Sequence, residues 1–405
     1  MRNRVVTFWK EAAVVAPFLL LLLAGELIAQ PNTLWTRFYT EIGAITADFI
    51  QTSDGGYAIG SAKWGGNPNR RDHDFVLVKT DSLGVIEWDS LYAGLPDSVN
   101  RNDRVYQMAQ MNDGGYLLVG GGGGERFGMI VRTDVEGRRQ WLHYGAEEDV
   151  GYYTCAVTVD NDIVIGAGSD IWRFDDNDSG AVIWRESFQP EGASLHYSTT
   201  TSDGKYLFAG TSPGGFGGFD FYAVKFDLDG EIEWENHYGT EHLDGVGDVI
   251  ETSDGGACIV GTQRFGINDS TRGMVVRVDA NGEEVWRRFY REVPGRTYLD
   301  CVVETPDGGF AIGGEKDERA NFYLQRVDSV GNLLWYRTFE RRGSNVCQSI
   351  FLMPDGGYVL GGPSADGAWL IRTTPDSLNL PNRVVLLDPA FPSQFIFSTT
   401  LSQSI

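Results

Sequence analysis

The sequence predicts an all-β chain built from a repeated four-strand unit, on three observations. First, an Asp-Gly turn recurs between apolar runs: "QTSDGGYAIG" at Gln51 to Gly60 returns as "QMNDGGYLLVG", "TTSDGKYLFAG", "ETSDGGACIVG", "ETPDGGFAIGG" and "LMPDGGYVLGG". Second, a frame D-x-x-G-x-x-x-W recurs between those turns and places Trp88, Trp141, Trp234, Trp286 and Trp335, with Trp184 in a variant of it. Third, 52 glycines against 14 prolines point to many tight turns, and 12% aromatic residues supply a core. A strand-rich period of about 50 residues is the spacing of β-propeller blades.

The elements follow in order within the first unit. "ITADFIQT" leads into Asp54-Gly55-Gly56, then come "YAIGSAK", "DFVLVKT", the turn Asp81 to Gly84, and "VIEWDSLY". Asp-Gly favours a tight hairpin because Gly accepts positive φ and Asp bonds its own backbone. Alternating apolar residues on either side read as half-buried strands. The Asp-Gly turns begin at Asp54, Asp113, Asp203, Asp254, Asp307 and Asp355, and a degenerate seventh is Asn161-Asp162. The last unit lacks a Trp strand, whereas a stray "LWTRFY" stands at residues 34–39. That N-terminal strand therefore completes the last blade and closes the ring's open edge. The expected fold is a seven-bladed β-propeller of four-stranded antiparallel blades over residues 30–377, closed by strand 34–39.

Residues 1–29 read as a cleaved export signal: Arg2, Arg4 and Lys10 precede the apolar "AAVVAPFLLLLLAG", and "LIAQ" offers a cleavage site. A secreted or cell-surface, monomeric protein with no transmembrane segment in the mature chain is expected. The formal net charge of -23 argues against a nucleic-acid partner. The cysteines Cys155, Cys258, Cys301 and Cys347 lie far apart within apolar runs, so free buried thiols are expected and zinc is not.

Repetition assigns most conspicuous residues to the scaffold. Asp-Gly turns spread around a ring cannot converge on one ligand, and tryptophans at one blade position read as interblade packing. His143 and His237, which both precede Tyr in the last strand of a blade, read as structural. One turn departs from the frame: in "DDNDSGAVIWRE" Asp175, Asn177, Ser179, Gly180 and Glu186 fall at calcium-loop positions, but without flanking helices. Asp48 and Asp248 share a register in first strands and face either a channel or a structural role.

Strand order puts the short turns on one face and the variable connections on the other. The variable loops carry Trp64, Arg70, Arg71, Phe127, Phe216, Phe219, Arg264 and Phe265, which suit a glycan or protein partner. No catalytic motif occurs, so no catalytic, cofactor or metal residue is assigned. The expected function is a glycan- or protein-binding module, with a polysaccharide hydrolase or lyase and a purely structural ring as alternatives.

The units resemble a family of exported bacterial repeat proteins with "TxDGGYxxxG…KTDxxGNxxWxxTYG" units, which usually end in a type IX secretion sorting domain. The likeness covers about residues 34–373. The tail, residues 378–405, resembles the opening of that domain at Pro392, Phe395, Thr399, Thr400, Leu401 and Ile405, departs from it at Ser393 and Gln394, and is incomplete. The resemblance implies export more than activity. The D-x-x-G-x-x-x-W frame is also similar to the tryptophan-docking repeat of quinoprotein dehydrogenases, which have eight blades, a quinone and calcium.

Overall fold

In the computed structural model, seven four-stranded antiparallel sheets stand side by side around a central channel. The structure describes residues 30–377 apart from 41, 43–46, 65–72, 93–102, 123–126, 146–150, 188–191, 266–269, 291–295 and 317–320, together with 385–387 and 395–397. The export signal, Arg70, Arg71 and most of the tail lie outside the described residues. Among the described residues there is no helix, hence none able to cross a membrane.

The expected closure is present. Thr33–Tyr39 pairs antiparallel with Gly367–Thr373, making the N-terminal strand the outer strand of blade seven. The inner strands are Ala47–Gln51, Arg104–Gln110, Thr154–Val157, Ser194–Thr200, Leu243–Glu251, Thr297–Glu304 and Ser349–Leu352, and each neighbours the next around the channel.

The Asp-Gly-Gly turn is explained residue by residue in blade one. Gly55 N bonds Thr52 O at 2.8 Å and Thr52 N bonds Gly56 O at 3.0 Å, so the loop is a tight turn followed by a left-handed glycine. Gly55 has φ +85, which glycine adopts without strain. At Gly56 the reason differs: a Cβ there would run into the Thr80 carbonyl. Asp54 closes the turn by accepting from Gly56 N at 3.0 Å and pairs with Lys79 at 2.7 Å.

That ion pair recurs in every blade. Arg132–Asp113 at 2.5 Å, Arg173–Asp162 at 2.8 Å and Lys225–Asp203 at 3.3 Å are joined by Arg277–Asp254, Arg326–Asp307 and Arg372–Asp355. The cation is buried in every blade but the third, where Arg173 is half-buried, and wholly so for Arg132 and Arg326, while most of the turn aspartates remain half exposed. In blade three the turn is degenerate and Asp162 takes over the role, with Asn161 at φ +72 supplying the left-handed residue.

The tryptophans dock between blades. Trp35, Trp88, Trp141, Trp184, Trp234 and Trp286 each lie over the turn glycine of the following blade, from Gly84 through Gly137, Gly180, Gly230 and Gly282 to Gly331. Four residues after Trp, a tyrosine hydroxyl donates to that same glycine's carbonyl: Tyr39 to Gly84 at 2.8 Å, Tyr92 to Gly137 at 2.7 Å, Tyr238 to Gly282 at 2.6 Å and Tyr290 to Gly331 at 2.8 Å. Aromatic area thus holds these blades to the next, joined at four of the seams by a buried hydrogen bond.

All four cysteines are free and buried, as expected, and Cys301 and Cys347 lie side by side with their sulfurs 3.8 Å apart.

Candidate functional site

The inner strands expose an unpaired edge to the channel, and its N–H groups need partners. One register position supplies them. Asp48 accepts from Phe49 N at 2.8 Å with one oxygen and from Met108 N of blade two at 2.7 Å with the other. Gln107 accepts from Cys155 N of blade three at 2.7 Å, and Asp248 accepts from Val249 N at 2.8 Å and Val302 N of blade six at 3.0 Å. Ser349 closes the circle by accepting from Phe49 N at 3.4 Å. Asp48 and Asp248 therefore face the channel and also pin neighbouring blades; both oxygens of each are occupied.

One residue earlier the strands bulge. The pairing register shifts at Tyr106, His196, Gly247 and Asp300, and Tyr153 holds the same place in blade three. A bulge re-aims the extra side chain. Here the bulged residues turn into a channel cavity of about 330 Å³ lined by Tyr106, Tyr153, His196, Tyr197 and Asp300, with Asp48 and Asp248 deeper. The rings form an arc: Tyr106–Tyr153 centroids are 5.5 Å apart, Tyr153–His196 4.8 Å and nearly parallel, and His196–Tyr197 6.4 Å. Opposite the arc, Asp300 Oδ2 is buried and unbonded among the described residues. The arc sits where the interblade connections enter, the face opposite the Asp-Gly-Gly turns.

Burial raises all three carboxyls. Asp48 is pushed to about 6, its backbone bonds offsetting part of the desolvation, and Asp248 to about 7 for the same reasons plus the charge of Asp48. Desolvation and the nearby charges of Glu315 and Asp248 lift Asp300 to about 8. Tyr197, among these three carboxyls, is raised as well, first by burial and then by their charges.

These shifts fix a sign. A carboxyl that holds its proton more tightly folded than unfolded contributes stability below its unfolded value, and that contribution is lost as pH rises through its folded value. The turn aspartates act the other way. At Asp54 and Asp203 hydrogen bonds and lysine charges outweigh desolvation and hold the carboxyls near about 2, so their contribution is lost in strong acid. The melting temperature should therefore peak near pH ~4 and decline from there toward pH ~8. In Asp300→Asn the upper part of that decline should flatten. A melting temperature that climbs steadily from about pH 5 to 8 would contradict this assignment.

The loop residues expected to bind divide into two groups. Phe219 and Arg264 line a second cavity of about 430 Å³ with Leu243, Tyr298 and Asp300, so Asp300 borders both spaces. Phe216 and Phe219 are exposed nearby. Phe265 is instead engaged by Arg272, whose guanidinium lies 5.1 Å from its ring, and Phe127 starts the third strand of blade two, half-buried. The side chain of Trp64 is outside the described part.

His143 packs 5.0 Å from Phe174, and His237 lies 3.2 Å from the Ser212 hydroxyl and 5.1 Å from Tyr222; both contacts are structural. In the irregular turn of blade three Asp175 caps Asn177 N at 2.8 Å, while Glu186 lies in the outer strand opposite Ile171 rather than folding back. The inserted carboxylate Asp176 bonds Arg132 at 2.9 Å, Trp141 Nε1 at 3.1 Å and Asn161 at 2.9 Å. The insertion thus latches blade three to blade two.

No family model and no curated protein matches the sequence. Solved structures do match the fold. A chain of the mitotic checkpoint complex is 14% identical with TM-score 0.57, covering 93% of this chain and all of that one. The WD40 domain of Pan2 from Neurospora crassa is 12% identical with TM-score 0.55, covering 83% and 91%. The extracellular domain of a one-component system from B. thetaiotaomicron is 12% identical with TM-score 0.50, covering 89% of this chain and 41% of that one. At these identities the likeness is one of fold.

Proposed function

We propose that this protein is an exported β-propeller of the bacterial Asp-Gly-Gly repeat type and that it binds a glycan at the mouth of its channel. The observation that carries the reading is the arc Tyr106–Tyr153–His196–Tyr197 facing Asp300 in one cavity. Sugar rings present C–H faces that stack on aromatic rings and hydroxyls that bond carboxyls, and this cavity offers both. An enzyme with paired carboxylates fits less well. Asp48 and Asp248 are occupied by backbone N–H groups, so among the described residues lining this cavity Asp300 has no second unoccupied carboxylate for acid–base work. The extracellular-domain neighbour and the sequence's export signal support a location outside the cell.

The test is calorimetric titration of the mature chain against oligosaccharides of several classes. Tyr153→Ala should weaken the bound class about tenfold, since one stacked ring contributes about 1.4 kcal/mol. Weakening by Phe219→Ala or Arg264→Ala alone would move the site to the outer cavity. Absence of binding across all classes would sink the glycan reading.

A further inference from the structure

We infer that the channel's ligand carries a positive charge, an amine-bearing sugar in the reading above, on which this inference rests. Among the described residues the cavity is lined by Asp48, Asp248 and Asp300 and by no lysine or arginine. The cations of the third strands are committed elsewhere: Lys79, Arg132 and their counterparts are paired with turn aspartates at the opposite ends of the inner strands. The charge of Glu315 also reaches Asp300. Among the described residues the wall of this cavity is thus acidic, with Arg264 only in the adjoining outer space, inside a chain whose formal net charge is -23.

Geometry adds a second, independent reason. Aromatic faces are electronegative, so Tyr106, Tyr153 and Tyr197 attract a cation over their rings, and Asp300 presents a carboxyl with no partner to the same space. A neutral hydroxyl would bond Asp300 but leave the field uncompensated. An anionic ligand such as a uronic acid meets no basic group on the described cavity wall and is repelled by the carboxyls in their ionised form. An ammonium group bonds Asp300, lies against the rings and cancels the field together.

Two trimers with the same rings isolate the charge: the glucosamine trimer, cationic at about pH 7, and the uncharged N-acetylglucosamine trimer. Spermidine serves as a cation without a ring. The mature chain should bind the glucosamine trimer about tenfold or more tighter than its acetylated counterpart. Asp300→Asn should erase that preference, while Tyr153→Ala should weaken both trimers. Asp300→Asn keeps the side chain's shape and removes an unpartnered carboxyl, so it should fold at least as stably as the parent.

Equal or tighter binding of the acetylated trimer, or a preference that survives in Asp300→Asn, would overturn the charge inference and leave the glycan site standing. Spermidine binding that is lost in Asp300→Asn, without binding of either trimer, would keep the charge inference and sink the glycan reading. Failure of both the glucosamine trimer and spermidine to bind would overturn it outright.

Discussion

Deleting residues 30–39 from the mature chain should abolish its cooperative folding. The strand Thr33–Tyr39 is both the outer strand of blade seven and the docking strand on blade one. On blade seven, Phe38 stacks on Trp369 at 5.4 Å, and Thr36 accepts the bond from Trp369 Nε1. Across the seam, Trp35 lies over Gly84 and the buried Tyr39 donates to its carbonyl. Losing one such aromatic anchor costs roughly 3 to 5 kcal/mol. Losing Trp35 and the buried Tyr39 together, with the strand's pairing to Gly367–Thr373, approaches the whole stability of a typical domain, about 5 to 15 kcal/mol. The deletion would also bare the Gly367–Thr373 strand as an open edge able to pair between molecules. Circular dichroism melting and gel filtration check this: the truncated chain should melt without a sharp transition or aggregate, and adding the peptide 30–39 should restore the transition. A truncated chain that melts cooperatively within a few degrees of the parent would show that the closure is dispensable.

The second large effect is expected where Trp234 meets Gly282. Gly282 has φ +77, and a Cβ there would sit 2.5 Å from the Trp234 ring. Trp234→Ala should destabilise by about 3 to 5 kcal/mol by emptying the seam between blades four and five. Gly282→Ala should cost about 1 to 2 kcal/mol from the left-handed backbone alone, and more from the overlap with the ring. The double variant should lose less than the sum, because the small side chain at 234 leaves room for the new Cβ while the backbone strain remains. Trp234→Phe should be the mildest of the set, since Trp234 Nε1 is buried without a hydrogen bond and phenylalanine removes that unpaired group. Urea melts of the four variants measure all of this. Strict additivity would mean that the two residues do not touch in solution.

Residues 51–60 show why so much of the fold was legible. Asp54, Gly55 and Gly56 are adjacent in the chain, and their chemistry is local: a carboxylate cap, a left-handed residue and a missing Cβ. The Trp strands were legible for a related reason. Trp88 meets Gly137 and Trp234 meets Gly282 at nearly the repeat distance, so the pairing is written into the period itself. The ion pairs were less visible. The Asp-Gly turns and the Lys or Arg of the third strands both recur in the sequence, but only the hairpin's folding brings Arg326 against Asp307.

The site followed a different logic. Counting by register reached Asp48 and Asp248, whose position is shared, and it passed over Asp300, which stands one place out of register because of a bulge after Leu299. Tyr106, Tyr153 and His196 look unrelated in the sequence, since each is the irregular residue of its own blade. A bulge leaves no strong local signature, and convergence on the channel depends on closing a ring whose ends, Tyr39 and Ala368, are paired across almost the whole chain. By itself the sequence determined the blade, its number and its closure, because those rest on turns and packing repeated at a fixed period. Only the tertiary structure decided which side chains meet in the channel, because that depends on single-residue bulges and on contacts between strands far apart in the chain.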